Sequence, residues 1–98
     1  MISLLVVLLV TAVTSQISYG HASVVRSDPA DNAVLDTPPE QITIWFTEPV
    51  AVDFSTFRVI DIQGQTVKLE GIQRDEADHT IITLLLPELS AGVYSIHW

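Results

Sequence analysis

The chain has 98 residues and a formal net charge of −8, from 12 acidic and 4 basic side chains. This excess of negative charge argues against binding to nucleic acid, whose phosphates would be repelled, and the length allows one small domain. Because the sequence contains no cysteine, disulfides, thiolate chemistry and thiolate-rich zinc sites are excluded.

The first 20 residues have the pattern of a cleaved signal peptide. An apolar run from Leu4 to Val10 precedes Ser18 and Gly20, two small residues at the spacing that signal peptidase needs. The run is shorter than the ~20 residues of a membrane span, which disfavours a retained anchor. We therefore predict a signal peptide over 1–20 and a mature domain over 21–98 that is exported to the periplasm or the extracellular space.

Cleavage after Gly20 would make His21 the first residue of the mature protein. Its free α-amine, with a reference pKa of about 8, loses its proton readily near neutral pH, and amine and imidazole Nδ1 can then chelate one metal ion together. Nitrogen ligands suit Cu(II), which also leads the divalent affinity order. The alternative is that His21 follows the cleavage site by chance and binds no metal.

The mature sequence is predicted to be all-β, because short β-branched and aromatic segments alternate with turn signals and no helical period is sustained. The predicted strands are 23–27, 41–47, 54–62, 66–69, 80–86 and 93–98. In 41–47, strict alternation places Ile42, Ile44 and Phe46 on one face. The polar, acidic stretch 71–79 is predicted to be a loop. This pattern favours an immunoglobulin-like Greek-key β-sandwich.

The last predicted strand carries two further signals. Tyr94 opens the strand after the Gly92 turn, which fits a tyrosine corner, although an ordinary core tyrosine fits these residues equally well. The sequence stops at Trp98 inside this strand. Since a sandwich must cover the edges of its sheets, we expect the domain to be incomplete and to lack at least one final strand.

Four short motifs, in the same order, resemble those of CopC-type copper-resistance domains. His21-Ala22 directly follows the leader, and Ser27–Asn32 resembles the family's S-x-P-A-D/E-G. Phe46–Val50 resembles its F-x-E-P-V, and Ala91–Trp98 resembles its P-G-x-Y-x-V-x-W. Each motif is short, but together they span essentially the whole mature chain. Asn32 replaces the usual glycine, and a left-handed turn tolerates asparagine.

The resemblance implies a secreted or periplasmic sandwich that binds Cu(II) through the amine and Nδ1 of His21. It also implies an Asp and a His ligand shortly beyond Trp98, which this sequence does not include. Glu48 matches an acidic residue near the metal, where it could hydrogen-bond a coordinating nitrogen; the alternative is a solvated carboxylate at a strand end. The methionine-rich Cu(I) site of some members is not expected, because the only methionine is Met1.

The predicted function is copper binding in copper homeostasis or resistance, without catalysis. The domain would act as a carrier or as the outer domain of a copper transporter, with a CopD-like membrane transporter as the partner that the resemblance suggests. Two alternatives remain: an immunoglobulin-like structural module without metal, and a histidine-brace copper enzyme. The enzyme would need a second histidine and an aromatic substrate surface, for which the sequence offers only Trp45.

No catalytic residue is predicted, because no Ser/His/Asp set, phosphate loop or carboxylate pair occurs at a meaningful spacing. His79 stands in the acidic predicted loop, where a solvated surface is the simpler interpretation. His97 alternates with Ile96 and Trp98, so it should point away from their face. Neither histidine is predicted to be a copper ligand.

Overall fold

The computed structural model of the protein describes residues 2–6, 22–52 and 57–98. Its strands are β1 (Ile2–Val6), β2 (Val24–Asp28), β3 (Val34–Leu35), β4 (Gln41–Phe46), β5 (Arg58–Asp61), β6 (Thr66–Val67), β7 (Gly71–Arg74), β8 (Ile81–Leu85) and β9 (Gly92–His97). These ranges contain no helix, and hence no apolar helix of membrane-spanning length among the described residues.

The strands form two sheets, in the orders β3-β1-β9-β5-β6 and β2-β4-β8-β7. Neighbouring strands are antiparallel, except that β1 and β3 run parallel. One buried core joins residues of both sheets. The predicted all-β sandwich is confirmed, and its narrower assignment as an immunoglobulin-like Greek key stays a prediction.

The core follows from the alternation along the central strand β4. Ile42, Ile44 and Phe46 are buried there, and the register sets Ile44 directly opposite Ile82 of β8. Phe57, directly before β5 of the other sheet, joins this core, and its ring centroid lies 6.1 Å from that of Phe46. Period-two alternation buries alternate residues of a strand, so the predicted inward face of β4 is confirmed.

Tyr94 forms a tyrosine corner. Its ring is buried in the core, and its hydroxyl donates a 2.7 Å hydrogen bond to the carbonyl oxygen of Ser90, four residues upstream. The bond fixes the turn before β9 to the body of the sandwich. The sequence allowed either a tyrosine corner or an ordinary core tyrosine, and the structure contains the corner.

The prediction of a loop over 71–79 is wrong in its first half. Gly71–Arg74 forms β7, which pairs antiparallel with β8 at the edge of the sheet. Of its side chains only Ile72 packs against the core. The other residues of the strand need not be apolar, and its sequence therefore resembles that of a loop. A Cβ at position 71 would lie 3.1 Å from Leu85 Cδ1, which favours glycine there.

The predicted strand 54–62 is confirmed only for β5, since residues 53–56 lie outside the described residues. Its predicted return strand is shorter than expected: Thr66–Val67 pairs with β5. The turn between them is held by the Asp61 carboxylate, which accepts hydrogen bonds from the amides of Gln63 and Gln65 at 2.9 and 2.8 Å. Gly64 occupies the left-handed φ of 85° that this turn requires.

The strand β1 comes from within the predicted signal peptide. It lies between β9 and β3: Ile2 is paired with Ile96 and Val6 with Gly92, while β3 pairs on its other side. The edge of β9 opposite β5 is therefore covered by residues near the N-terminus. The signal peptide over 1–20, the domain over 21–98 and the further strand after Trp98 stay predictions.

Candidate metal centre

Of the two residues predicted to lie at the metal, Glu48 is described and His21 lies outside the described residues. Glu48 is exposed and follows the end of β4 by two positions. The next residue, Pro49, has no N–H to donate, which helps to end the strand there. Glu48 thus stands just beyond the end of the central strand β4, exposed to solvent at the rim of the sandwich.

The backbone of Ser23 is hydrogen-bonded to Thr47, the residue before Glu48. The Thr47 amide donates to the Ser23 carbonyl oxygen at 2.8 Å, and the Ser23 amide donates to Thr47 Oγ1 at 3.0 Å. Ser23 is two residues after His21, so the covalent chain keeps the Cα of His21 within about 7 Å of that of Ser23. The sequence alone gave no sign of this role of Thr47, because it depends on pairing between distant segments.

The loop before β8 meets the same rim. The Phe46 amide donates to the Thr80 carbonyl oxygen at 2.8 Å, and the Val50 amide donates to the His79 carbonyl oxygen at 3.3 Å. The Asp78 carboxylate accepts hydrogen bonds from the side chain and the amide of Thr80, which lower the pKa of Asp78. This carboxylate is therefore engaged in shaping its own turn.

Trp98 brings the end of the sequence to the same region. Its ring packs edge-on against Phe46, with ring centroids 6.0 Å apart and an interplanar angle of 74°. His97 instead stands opposite Arg58 across the β9–β5 ladder. Partial burial and the charge of Arg58 lower the pKa of His97. Ser23, Glu48 and Trp98 are therefore gathered around the end of β4.

The described residues do not form a metal site by themselves. Within the ranges 22–52 and 57–98, no three His, Asp or Glu side chains lie close enough together to hold a metal ion. Glu48 is the exposed carboxylate directly after the end of β4, where the predicted site would lie. A copper centre here would need donors from outside the described residues.

The family model described as "CopC domain" matches residues 24–98. The chain belongs to the CopC domain family. The resemblance to this family is thereby confirmed, and the match covers three of the four motifs; the first, His21-Ala22, lies before it. No solved structure matches the chain.

The chain is also similar to individual bacterial proteins. The chain is 30% identical over 95 residues to the copper transport protein CutJ of Bacillus subtilis (strain 168). It is 28% identical over 92 residues to the protein YobA of Escherichia coli (strain K12). The matches cover 96% and 93% of this chain. The chain spans 18% of the length of CutJ and 74% of the length of YobA, so CutJ is much longer than the part that matches.

Proposed function

We propose that this CopC domain binds copper outside the cytoplasm and carries it, or delivers it to a membrane transporter, without catalysing a reaction. The family match supports a copper-related role, as does the similarity to a protein named for copper transport. The observation that carries the proposal is the convergence of Ser23, Glu48 and Trp98 on the end of β4. Ser23 lies two residues after His21, Glu48 is itself a predicted contributor, and the expected Asp and His would follow Trp98.

The proposed site uses the α-amine and Nδ1 of His21 as a chelate for Cu(II). The reciprocal Ser23–Thr47 hydrogen bonds support this assignment, because they tether the chain two residues after His21 beside Glu48. Glu48 would accept a hydrogen bond from a coordinating nitrogen and fix its orientation. The remaining ligands, an Asp and a His, would follow Trp98, which packs at the same rim.

The proposal also includes roles for the net charge of the chain and for its export from the cytoplasm. The net charge of −8 raises the local concentration of cations near the protein. A signal peptide over 1–20 would expose the free amine of His21 on cleavage and place the domain in the periplasm or the extracellular space. A CopD-like membrane transporter is the proposed recipient of the copper, as a partner or as a fused domain.

Titration with Cu(II) against a competing chelator tests the site in the processed protein, in a form that extends past Trp98 and includes the Asp and His expected there. His21→Ala should weaken binding most, because it breaks the chelate, and Glu48→Gln should weaken it by about 10- to 100-fold. His79→Ala and His97→Ala are matched controls that remove an imidazole elsewhere, and they should change the affinity little. If His21→Ala binds copper as tightly as the controls, the site lies elsewhere; if the parent protein and the controls bind no copper, the metal-free structural module becomes the better interpretation.

A further inference from the structure

The four-stranded sheet has a second face, which points away from the core and is called the outer face below. Its two central strands contribute five half-buried side chains to this face: Thr43, Trp45, Ile81, Thr83 and Leu85. The solvent face of an antiparallel sheet is normally polar. Here the five side chains include a tryptophan, an isoleucine and a leucine, and none of the five is charged. The centre of the outer face therefore has the composition of a surface that packs against another surface.

One row of residues crosses the outer face at a right angle to the strands, and its two ends carry opposite charges. On β2, Arg26 stands opposite Trp45, and its Cζ lies 3.7 Å from the centroid of the Trp45 ring. Trp45 is paired in turn with Ile81 of β8. On the far side of Ile81, the Asp75 amide donates to the Ile81 carbonyl oxygen at 3.0 Å, and Glu76 follows Asp75. The row thus runs from a guanidinium on β2 to two carboxylates just after β7.

The carboxylate end of the row is hollow. Asp75 and Glu76 line a cavity of about 460 Å³ together with Ile81. The Asp75 carboxylate accepts hydrogen bonds within its own turn, whereas Glu76 is exposed. Arg74 also borders the cavity, but its guanidinium donates to the Val50 carbonyl oxygen at 3.4 Å. This end of the row is therefore suited to a cationic side chain that projects from a facing surface.

We propose that the outer face is a dimerisation surface on which a second copy of this protein packs face to face. The two copies are related by a twofold axis that runs parallel to the strands and passes between β4 and β8. Rotation about this axis reverses the row, so Arg26 of each copy comes opposite Glu76 of the other, and Trp45 comes opposite Ile81. A twofold interface uses the same patch on both copies, and a row with opposite charges at its two ends is complementary to itself. The proposal depends on neither export nor copper.

The charge and the size of the outer face limit the strength of this dimer. Two copies that each carry a net charge of −8 repel each other, but charges more than about 8 Å apart are largely screened at physiological salt. The outer face is four strands wide and about six residues long, which gives it roughly 400 Å² in projection. A standard interface buries about 800 Å² on each partner. We therefore expect a weak dimer whose population depends on protein concentration.

The test exchanges the two charges in the processed protein, in the form that extends past Trp98 and without metal. Arg26→Glu and Glu76→Arg are made separately and then together, and sedimentation equilibrium measures the dissociation constant of the dimer. Arg58→Glu and Asp36→Arg are the matched controls. They change the net charge by the same amounts, but Arg58 lies on β5 and Asp36 directly follows β3, both in the other sheet.

We expect each single reversal to weaken the dimer by about tenfold or more, because like charges then face each other at two places in every dimer. The double exchange brings opposite charges together again and should restore the dissociation constant of the parent. The two controls should change it much less. A mixture of Arg26→Glu and Glu76→Arg should form a heterodimer more tightly than either variant dimerises alone, because one copy then has two negative ends and the other two positive ends.

A parent protein that stays monomeric up to millimolar concentration would overturn the proposal. A dimer that the single reversals leave unchanged, or that the double exchange fails to restore, would show that association uses another surface. If a reversal unfolds the protein, as judged by circular dichroism, Arg26→Gln and Glu76→Gln replace it, and an unchanged dissociation constant for both would again contradict the proposal. Because copper is absent throughout, failure of the copper proposal would leave these outcomes unchanged.

Discussion

Truncation of Ile44 tests which face of β4 is buried in the core of the sandwich. Ile44 is fully buried and lies opposite Ile82 of β8, so Ile44→Ala leaves a cavity between two packed strands. Such truncations cost about 2–5 kcal/mol, a large share of the ~5–15 kcal/mol of a typical domain. Ile62 is the matched control, because its side chain is 74% exposed and Ile62→Ala should change the free energy of unfolding by less than about 0.5 kcal/mol.

Urea unfolding of both variants, followed by circular dichroism, measures the difference in the free energy of unfolding. If Ile44→Ala does not fold, Ile44→Val is the milder change, with an expected loss of about 0.5–1.5 kcal/mol. Equal losses for the buried and exposed isoleucines would refute the assignment of the inward face of β4. The position of Glu48 at the end of that strand would then be unsupported.

Three further predictions concern processing, completeness and pH. Intact mass of the exported protein should begin at His21, and retention of the first 20 residues would rule out the amine chelate. Residues 21–98 produced alone should fold poorly or self-associate, because β9 loses its neighbour; a sharp melt of a clean monomer would contradict this. Burial and the charge of Arg58 lower the pKa of His97, so the unfolded chain takes up the proton at a higher pH than the folded chain. The pKa of His97 in the unfolded chain is about 6.5. The stability contributed by neutral His97 is therefore present above this pH and is lost as the pH falls below it. His97→Gln should flatten the dependence of unfolding free energy on pH between 7 and 5, and an unchanged slope would contradict the assignment.

The strands that the sequence predicted well are those that bury alternate residues. β4 and β8 each bury every second residue, and both lie in the middle of a sheet. β7 was missed because an edge strand needs few inward residues, and only Ile72 served that purpose. β1 could not be assigned from sequence, since an apolar run of its length suits both a signal peptide and a strand, and the choice depends on distant partners.

The candidate site was predictable only in part. Glu48 was identified from the motif around Phe46 and Pro49, and the structure places it at the end of β4. The pair of hydrogen bonds between Ser23 and Thr47 depends on the register of β2 against β4. A bulge interrupts that register between Val24 and Arg26, so counting residues along the two strands would not have given it.

The central claim is that the free amine of His21 binds Cu(II). The most direct test uses the processed protein in a form that extends past Trp98 and compares its Cu(II) affinity with that of the same form carrying one extra glycine before His21, which converts the amine into an amide. We predict a loss larger than the 10- to 100-fold expected for Glu48→Gln, and an affinity of the native form that falls as the pH is lowered, because protons compete for both nitrogens. Equal affinities of the native and extended forms would show that the amine is not a ligand.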